Sequence, residues 1–145
     1  YVVLAQPRVN DATDLAFTSI DGRTFSVSEF KGKVVIVEFM ATRCDPCHEQ
    51  LGYLKKVYEC CSAEVVLVSV TVDPTFDTPQ VLQAYVDERG ILWIQATDTF
   101  DMTVKCQILA VPTLLIIDRN GVVQYRHIGV TNDYILIQEV EKFRG

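Results

Sequence analysis

The sequence predicts an α/β fold in which a mixed β-sheet is covered by helices on both faces. Two apolar, β-branched runs, Val34–Phe39 and Val65–Val72, read as strands buried on both faces. Segments after each run change to the apolar spacing of amphipathic helices. Asp21-Gly22 and Asn120-Gly121 then mark an antiparallel hairpin near each end of the chain. Strands alternating with helices, then a hairpin and a closing helix, give a mixed rather than a purely parallel sheet.

The first dozen or so residues carry no periodic pattern, so residues 1–14 are expected to form a loose arm and 15–145 one domain. Leu15–Ile20 and Arg23–Ser26 are strand candidates on either side of Asp21-Gly22. Val34–Phe39 is interrupted only by Glu38. Cys47, Leu51, Leu54 and Tyr58 then recur at helical spacing, with Pro46 in the first turn, where a helix tolerates proline. Thr78-Pro79 opens a second helix that runs to about Arg89 and stops at Gly90. Leu92–Gln95 is a short strand and Thr99–Gln107 a short helix. Thr113–Asp118 and Val122–His127 flank Asn120-Gly121. A last helix runs from about Asn132 to Phe143, with Leu136, Val140 and Phe143 as its apolar stripe.

Composition narrows the function. Of the 145 residues 49% are apolar and 22% charged, as in an ordinary folded domain. Thirteen Lys and Arg against nineteen Asp and Glu leave a net charge of −6 and no basic run, so nucleic acid is not an expected partner. No apolar stretch approaches the 18 or so residues of a membrane span. The opening Tyr1-Val2-Val3-Leu4-Ala5 fits the tail of a removed signal or anchor, or equally an arbitrary boundary. Five cysteines, at 44, 47, 60, 61 and 106, leave at least one unpaired within a monomer.

Cys44-Asp45-Pro46-Cys47 lies where a buried strand ends and a helix begins. A helix N-terminus offers free N–H groups and partial positive charge, which stabilise the reactive thiolate, so Cys44 is expected to fall below the free value of about 8.5. Cys47 falls inside the first turn, within disulfide reach and shielded from water. One thiol outside and one inside is what dithiol–disulfide exchange through a mixed disulfide requires. A zinc site shared with Cys60 and Cys61 is the competing reading, but those residues fall roughly 20 Å along the same helix, too far for one ion. No metal or cofactor is expected.

Glu38 is the second signal, a carboxylate six residues before Cys44 in a buried strand. Such a group needs a raised pKa or a partner. It can take the proton of Cys47 as that thiol attacks a mixed disulfide; the alternatives are an exposed edge position or an ion pair with Lys33 or Lys55. The third signal is Val111-Pro112-Thr113. Proline there begins an edge, turns in trans, or takes a cis bond that leaves the Val111 backbone free to pair with an extended substrate.

Taken together these motifs resemble the thioredoxin superfamily, and more narrowly the TlpA/ResA-type thiol–disulfide oxidoreductases, over about residues 15–143. The resemblance rests on Phe30–Val37, Phe39-Met40-Ala41-Thr42-Arg43-Cys44-Asp45-Pro46-Cys47, Val111-Pro112-Thr113 and Ile117–Gly121. It implies a thioredoxin fold with an N-terminal β-hairpin extension, Cys44 as nucleophile, Cys47 as resolving cysteine and Pro112 as a cis proline beside them. It implies protein dithiol or disulfide substrates, an upstream redox partner, a monomer, and an exported or membrane-anchored location, with the cytoplasm as the alternative.

This chain departs from the family pattern in places. Met40 and Arg43 replace the usual tryptophans; Arg43 favours the Cys44 thiolate and Asp45 opposes it. Gln50 stands where the family often has glutamate, Gly52 replaces a proline, and Glu38 takes the position of the buried acid of thioredoxins and disulfide isomerases. A peroxiredoxin-like peroxidase and a copper carrier using Cys44 and Cys47 are the rival functions. The first expects Thr where Ala41 stands; the second expects a longer cysteine spacing and a late histidine ligand. Either Cys60 or Cys61 is a candidate to bridge Cys106, with buried free thiols as the alternative. Neither His48 nor His127 is assigned a role.

Overall fold

The structure, a computed structural model, describes residues 15–143, so the arm expected at 1–14 lies outside the described residues. Strands β1 (Ala16–Ser19) and β2 (Thr24–Ser26) lead through a single 3₁₀ turn (Val27–Phe30) to β3 (Val34–Met40). Helix α1 (Asp45–Cys61), β4 (Val65–Thr71), α2 (Pro79–Arg89), β5 (Ile94–Thr97) and α3 (Met102–Lys105) follow. The chain closes with β6 (Thr113–Ile117), β7 (Val123–Ile128) and α4 (Asp133–Phe143). All seven strands form one sheet in the order β2-β1-β5-β4-β3-β6-β7. β3, β4 and β5 are parallel neighbours, while β1, β2, β6 and β7 pair antiparallel, which makes the sheet mixed.

Every residue of β3 is buried, as its unbroken apolar run requires at the middle of a covered sheet. Alternation then divides its side chains. Val35, Val37 and Phe39 join Phe17, Phe25, Val68, Val70, Met102 and Ile117 on one face. Val34 and Ile36 meet Leu54 and Val57 of α1 and Leu136 and Val140 of α4 on the other. Met40, at the end of β3, packs with Cys47, Leu51 and Tyr85. The N-terminal hairpin belongs to the core, because the Phe17 ring lies 6.1 Å from Phe25 and 6.0 Å, edge-on, from Phe39.

Both hairpins form with three-residue loops, one residue longer than the Asp21-Gly22 and Asn120-Gly121 pairs taken alone. Ser19 N–H donates to the Arg23 carbonyl and Asp118 N–H to that of Val122, each at 2.9 Å. Gly22 (φ 90°) and Gly121 (φ 87°) take the left-handed third position, which an L side chain would strain. The capping box Ser26-Val27-Ser28-Glu29 starts the 3₁₀ turn.

Two elements depart from expectation by more than one residue at an end. The strand expected at Leu92–Gln95 is Ile94–Thr97. Gly90 ends α2 at φ 63°, Ile91 drops into the Cys47 cluster, Leu92 is 72% exposed, and pairing with β4 begins only at Val68–Ile94. The helix expected over Thr99–Gln107 is reduced to Met102–Lys105. The Asp98 carboxylate accepts the Met102 and Thr103 N–H groups at 2.8 and 2.7 Å, and left-handed Asp101 and Gln107 bound the turn. Among the described residues, no helix is long and apolar enough to cross a membrane.

Replacing Phe17 by Ala empties a site at the junction of hairpin and central sheet and is expected to cost about 3–5 kcal/mol in urea unfolding of the oxidised protein. A loss under about 1 kcal/mol would show that the hairpin lies outside the cooperative core.

Candidate active site

Helix α1 starts on Asp45, one residue before Pro46, and Cys44 is its N-cap, with extended backbone (φ −138°, ψ 108°). Proline in the first turn costs the helix no hydrogen bond there. The Cys47 N–H donates to Cys44 Sγ at 3.2 Å, so the sulfur occupies the place of a capping oxygen. Cys44 and Cys47 form a disulfide with their Cα atoms 5.2 Å apart. Cys47 is buried, at 1% exposure, whereas Cys44 is half-buried. The expected outer and inner sulfurs are therefore both present.

The Val111–Pro112 peptide bond is cis and lies against this pair. Cys44 Sγ is 3.8 Å from the Val111 carbonyl oxygen. Pro112 precedes β6 and its carbonyl accepts the Gly129 N–H at 2.8 Å, which joins the turn to the end of β7. Val111 is half-buried and Pro112 buried.

Glu38 sits mid-sheet, opposite Ser69 of β4 and Leu114 of β6. It is 4% exposed, and its carboxylate accepts Ser69 Oγ at 2.8 Å; that hydroxyl in turn accepts the Trp93 indole N–H at 3.0 Å. The alternatives of an exposed edge or an ion pair with Lys33 or Lys55 are overturned, because Glu38 is buried mid-sheet and no lysine charge acts on its carboxyl. Burial pushes the Glu38 carboxyl up to about 8, only partly opposed by the Ser69 hydrogen bond. Alternation puts Glu38 on the same sheet face as Met40, which packs against Cys47.

Arg43 is turned toward the β4–α2 loop. Its guanidinium lies 3.4 Å from the centroid of the Phe76 ring and 3.6 Å from Asp73. Asp45 is fully exposed, 3.9 Å from His48 Nδ1, and Pro46 is exposed. His48, given no role from sequence, is half-buried, with Nε2 2.7 Å from the Thr42 carbonyl. Asp77, also unassigned, is 1% exposed and bonded to Thr42 and Thr71. The Asp77-Thr78-Pro79 stretch reads as a helix start, and that reading conceals a carboxylate facing the other way.

The profile of the AhpC/TSA family matches residues 9–126. The chain belongs to the AhpC/TSA family. Thioredoxin-like protein YneN of Bacillus subtilis is 23% identical over 130 residues, covering 90% of this chain and 76% of that protein. Thiol-disulfide oxidoreductase ResA of Bacillus thuringiensis subsp. konkukian is 24% identical over 113 residues, covering 77% of this chain and 64% of that protein. Among solved structures, a thiol:disulfide interchange protein of the thioredoxin family from Chlorobium tepidum superposes with a TM-score of 0.77 at 23% identity, over 99% of this chain and 100% of that one. StoA from Bacillus subtilis gives 0.73 at 22% identity, over 88% and 95%. These likenesses establish a thioredoxin-like fold.

Within that AhpC/TSA framework, Gln50 is wholly buried and uses both ends of its amide. Nε2 donates to the Thr131 carbonyl and Oε1 accepts the Thr131 N–H, each at 2.8 Å. Position 50 thus ties α1 to the segment before α4, and α1 continues through Gly52 to Cys61. The idea that Cys60 or Cys61 bridges Cys106 is overturned: Cys106 is a buried free thiol. Burial pushes the Cys106 thiol up to about 11.

The Glu38 environment has a thermodynamic signature. The unfolded chain ionises this carboxyl near its ordinary value of 4.5, but the folded chain holds its proton to about 8. Its contribution to stability is therefore complete below about pH 4.5 and is lost as pH rises toward 8, because the native state binds the extra proton. Relative to the natural oxidised protein, Glu38→Gln is expected to gain stability across that interval and level off above it. A pH-independent difference in urea midpoints would contradict the assignment.

Proposed function

We propose that this protein is a thiol–disulfide oxidoreductase that exchanges disulfides with protein partners through Cys44 and Cys47. The observation that carries the reading is the Cys44 sulfur at the N-cap of α1, bonded to Cys47, receiving the Cys47 N–H at 3.2 Å and lying 3.8 Å from the Val111 carbonyl.

In the reducing direction, the Cys44 thiolate attacks one sulfur of a substrate disulfide. A mixed disulfide forms and the other substrate sulfur leaves as a thiolate. Cys47 then loses its proton to Glu38 and attacks Cys44 Sγ, which closes the Cys44–Cys47 disulfide and releases the second substrate thiolate. Two electrons pass to the substrate, and both its sulfurs take up protons. The oxidising direction runs the same steps backwards, with Glu38 returning the proton. What supports Glu38 as the proton carrier is its pKa near working pH and its place on the sheet face of Met40, which contacts Cys47.

Val111 and Pro112 bind the substrate in this scheme, since an extended chain can pair with the Val111 backbone beside the reacting sulfur. Arg43, Asp45 and Pro46 tune the site. Arg43 does so with its charge partly offset by Asp73, and Pro46 by fixing the first helical turn. The protein works as a monomer outside the cytoplasm, where an upstream redox partner resets the pair. The relatives named ResA and YneN support the chemistry, and the location is inferred from the family pattern.

Insulin reduction coupled to dithiothreitol tests the scheme. Cys44→Ser is expected to abolish catalysis, whereas Cys47→Ser retains the attacking thiol and accumulates mixed disulfides that mass spectrometry detects. Full activity in Cys44→Ser would refute the reading. Turnover of hydrogen peroxide far faster than of insulin would favour the peroxidase alternative.

A further inference from the structure

The loop between β4 and α2 grips the residues that lead into Cys44. Asp77 is its buried anchor, 1% exposed. Its Oδ2 accepts the Thr42 N–H at 3.0 Å and the Thr71 hydroxyl at 2.6 Å, while Oδ1 accepts the Thr42 hydroxyl. The Asp77 N–H donates to the Asp73 carbonyl at 2.8 Å and holds the loop closed on itself. Both carboxylate oxygens are thus spent on β4 and on the strand-to-helix connection two residues before Cys44.

Further contacts converge on that connection. The Thr42 carbonyl lies 2.7 Å from His48 Nε2, and Arg43 covers Phe76 at 3.4 Å with Asp73 3.6 Å away. Thr42 and Arg43 are therefore held by side chains of the 73–77 loop as well as by α1. The connection carries the chain from the end of β3 to Cys44 at the helix N-cap, and the Thr42 N–H within it is satisfied by Asp77. A carboxylate fits this role because it accepts from several donors at once and competes for none of them.

We propose that Asp77 is a positioning residue for disulfide exchange: by holding Thr42 it sets the orientation in which Cys44 is presented to the helix N-terminus and to the substrate. This rests on the reading of Cys44 and Cys47 as the exchanging pair. Asp77 touches neither sulfur and acts through the backbone of Thr42 and Arg43. Misplacing a reacting atom by about 1 Å from a remote change costs on the order of a hundredfold in rate, so a loosened connection is read in turnover before it is read in substrate binding.

The test compares Asp77→Ala with Asp77→Asn. Asparagine removes the charge but keeps an oxygen for the Thr42 N–H, and the threonine hydroxyls can turn to accept its amide; alanine removes the hold altogether. In folded, oxidised protein, Asp77→Ala is expected to lower kcat for insulin reduction by at least about tenfold with little change in KM. It is also expected to shift the equilibrium with glutathione toward the Cys44–Cys47 disulfide relative to Asp77→Asn, because Cys44 loses its capping position in the reduced state. Asp77→Asn should restore most of kcat.

If Asp77→Ala folds and keeps the natural kcat and glutathione equilibrium, the proposal is overturned. The same holds if activity falls only in proportion to the folded fraction. Should Asp77→Ala fail to fold, Thr42→Val, which deletes only the hydroxyl bond, is expected to move kcat and the equilibrium in the same directions by less; no movement would overturn the proposal. Absence of insulin reduction by the natural protein would instead sink the underlying functional reading.

Discussion

One hydrogen bond organises this molecule's chemistry: the Cys47 N–H donated to Cys44 Sγ at the start of α1. It exists because a helix begins with backbone donors that no preceding turn can satisfy, and here a sulfur stands where serine or aspartate would normally cap. Pro46 removes a competing donor from the first turn without cost. The cap also fixes relative exposure, because the N-cap residue stays outside while a residue three positions on turns inward. A single local motif thus yields a half-buried outer sulfur and a buried partner, at a helix end of the kind that favours a thiolate.

Keeping that motif in place requires the rest of the fold. β3 delivers the connection at the centre of a sheet buried on both faces, and Gln50 clamps the following helix to the main chain of Thr131. The cis Val111–Pro112 turn, just before the strand that pairs with β3, brings a carbonyl to 3.8 Å from Cys44. Against these stabilising contacts stands Glu38, a carboxyl that the sheet buries with no cation beside it. A fold selected for stability alone gains nothing from an acid at that point, and the proton transfer proposed for Cys47 gives it a use.

Much of this was legible in the residues. The β-branched runs around Val35 and Val68, the helical spacing of Leu51 and Leu54, and Cys-Asp-Pro-Cys at a strand-to-helix junction each express a local preference that the tertiary structure keeps. The burial of Glu38 follows from its place in a strand covered on both faces. The residues around Pro112 leave edge, trans and cis open, and only the family likeness points to the cis bond that forms. What stayed hidden depends on contacts between distant segments. Asp77 meets Thr42 across 35 positions, Gln50 meets Thr131 across 81, and Ser69 meets Glu38 across 31. No periodicity marks such partners. The start of β5 is hidden for a related reason: pairing with β4, rather than the apolar character of Leu92, decides where the strand begins.

The central claim is that the N-cap position makes the Cys44 sulfur acidic. Titrating the ultraviolet thiolate absorbance of the fully reduced protein, with Cys44→Ser as the reference, isolates that group. A midpoint well below the free-cysteine value of about 8.5 is expected. A midpoint at or above that value would contradict the claim.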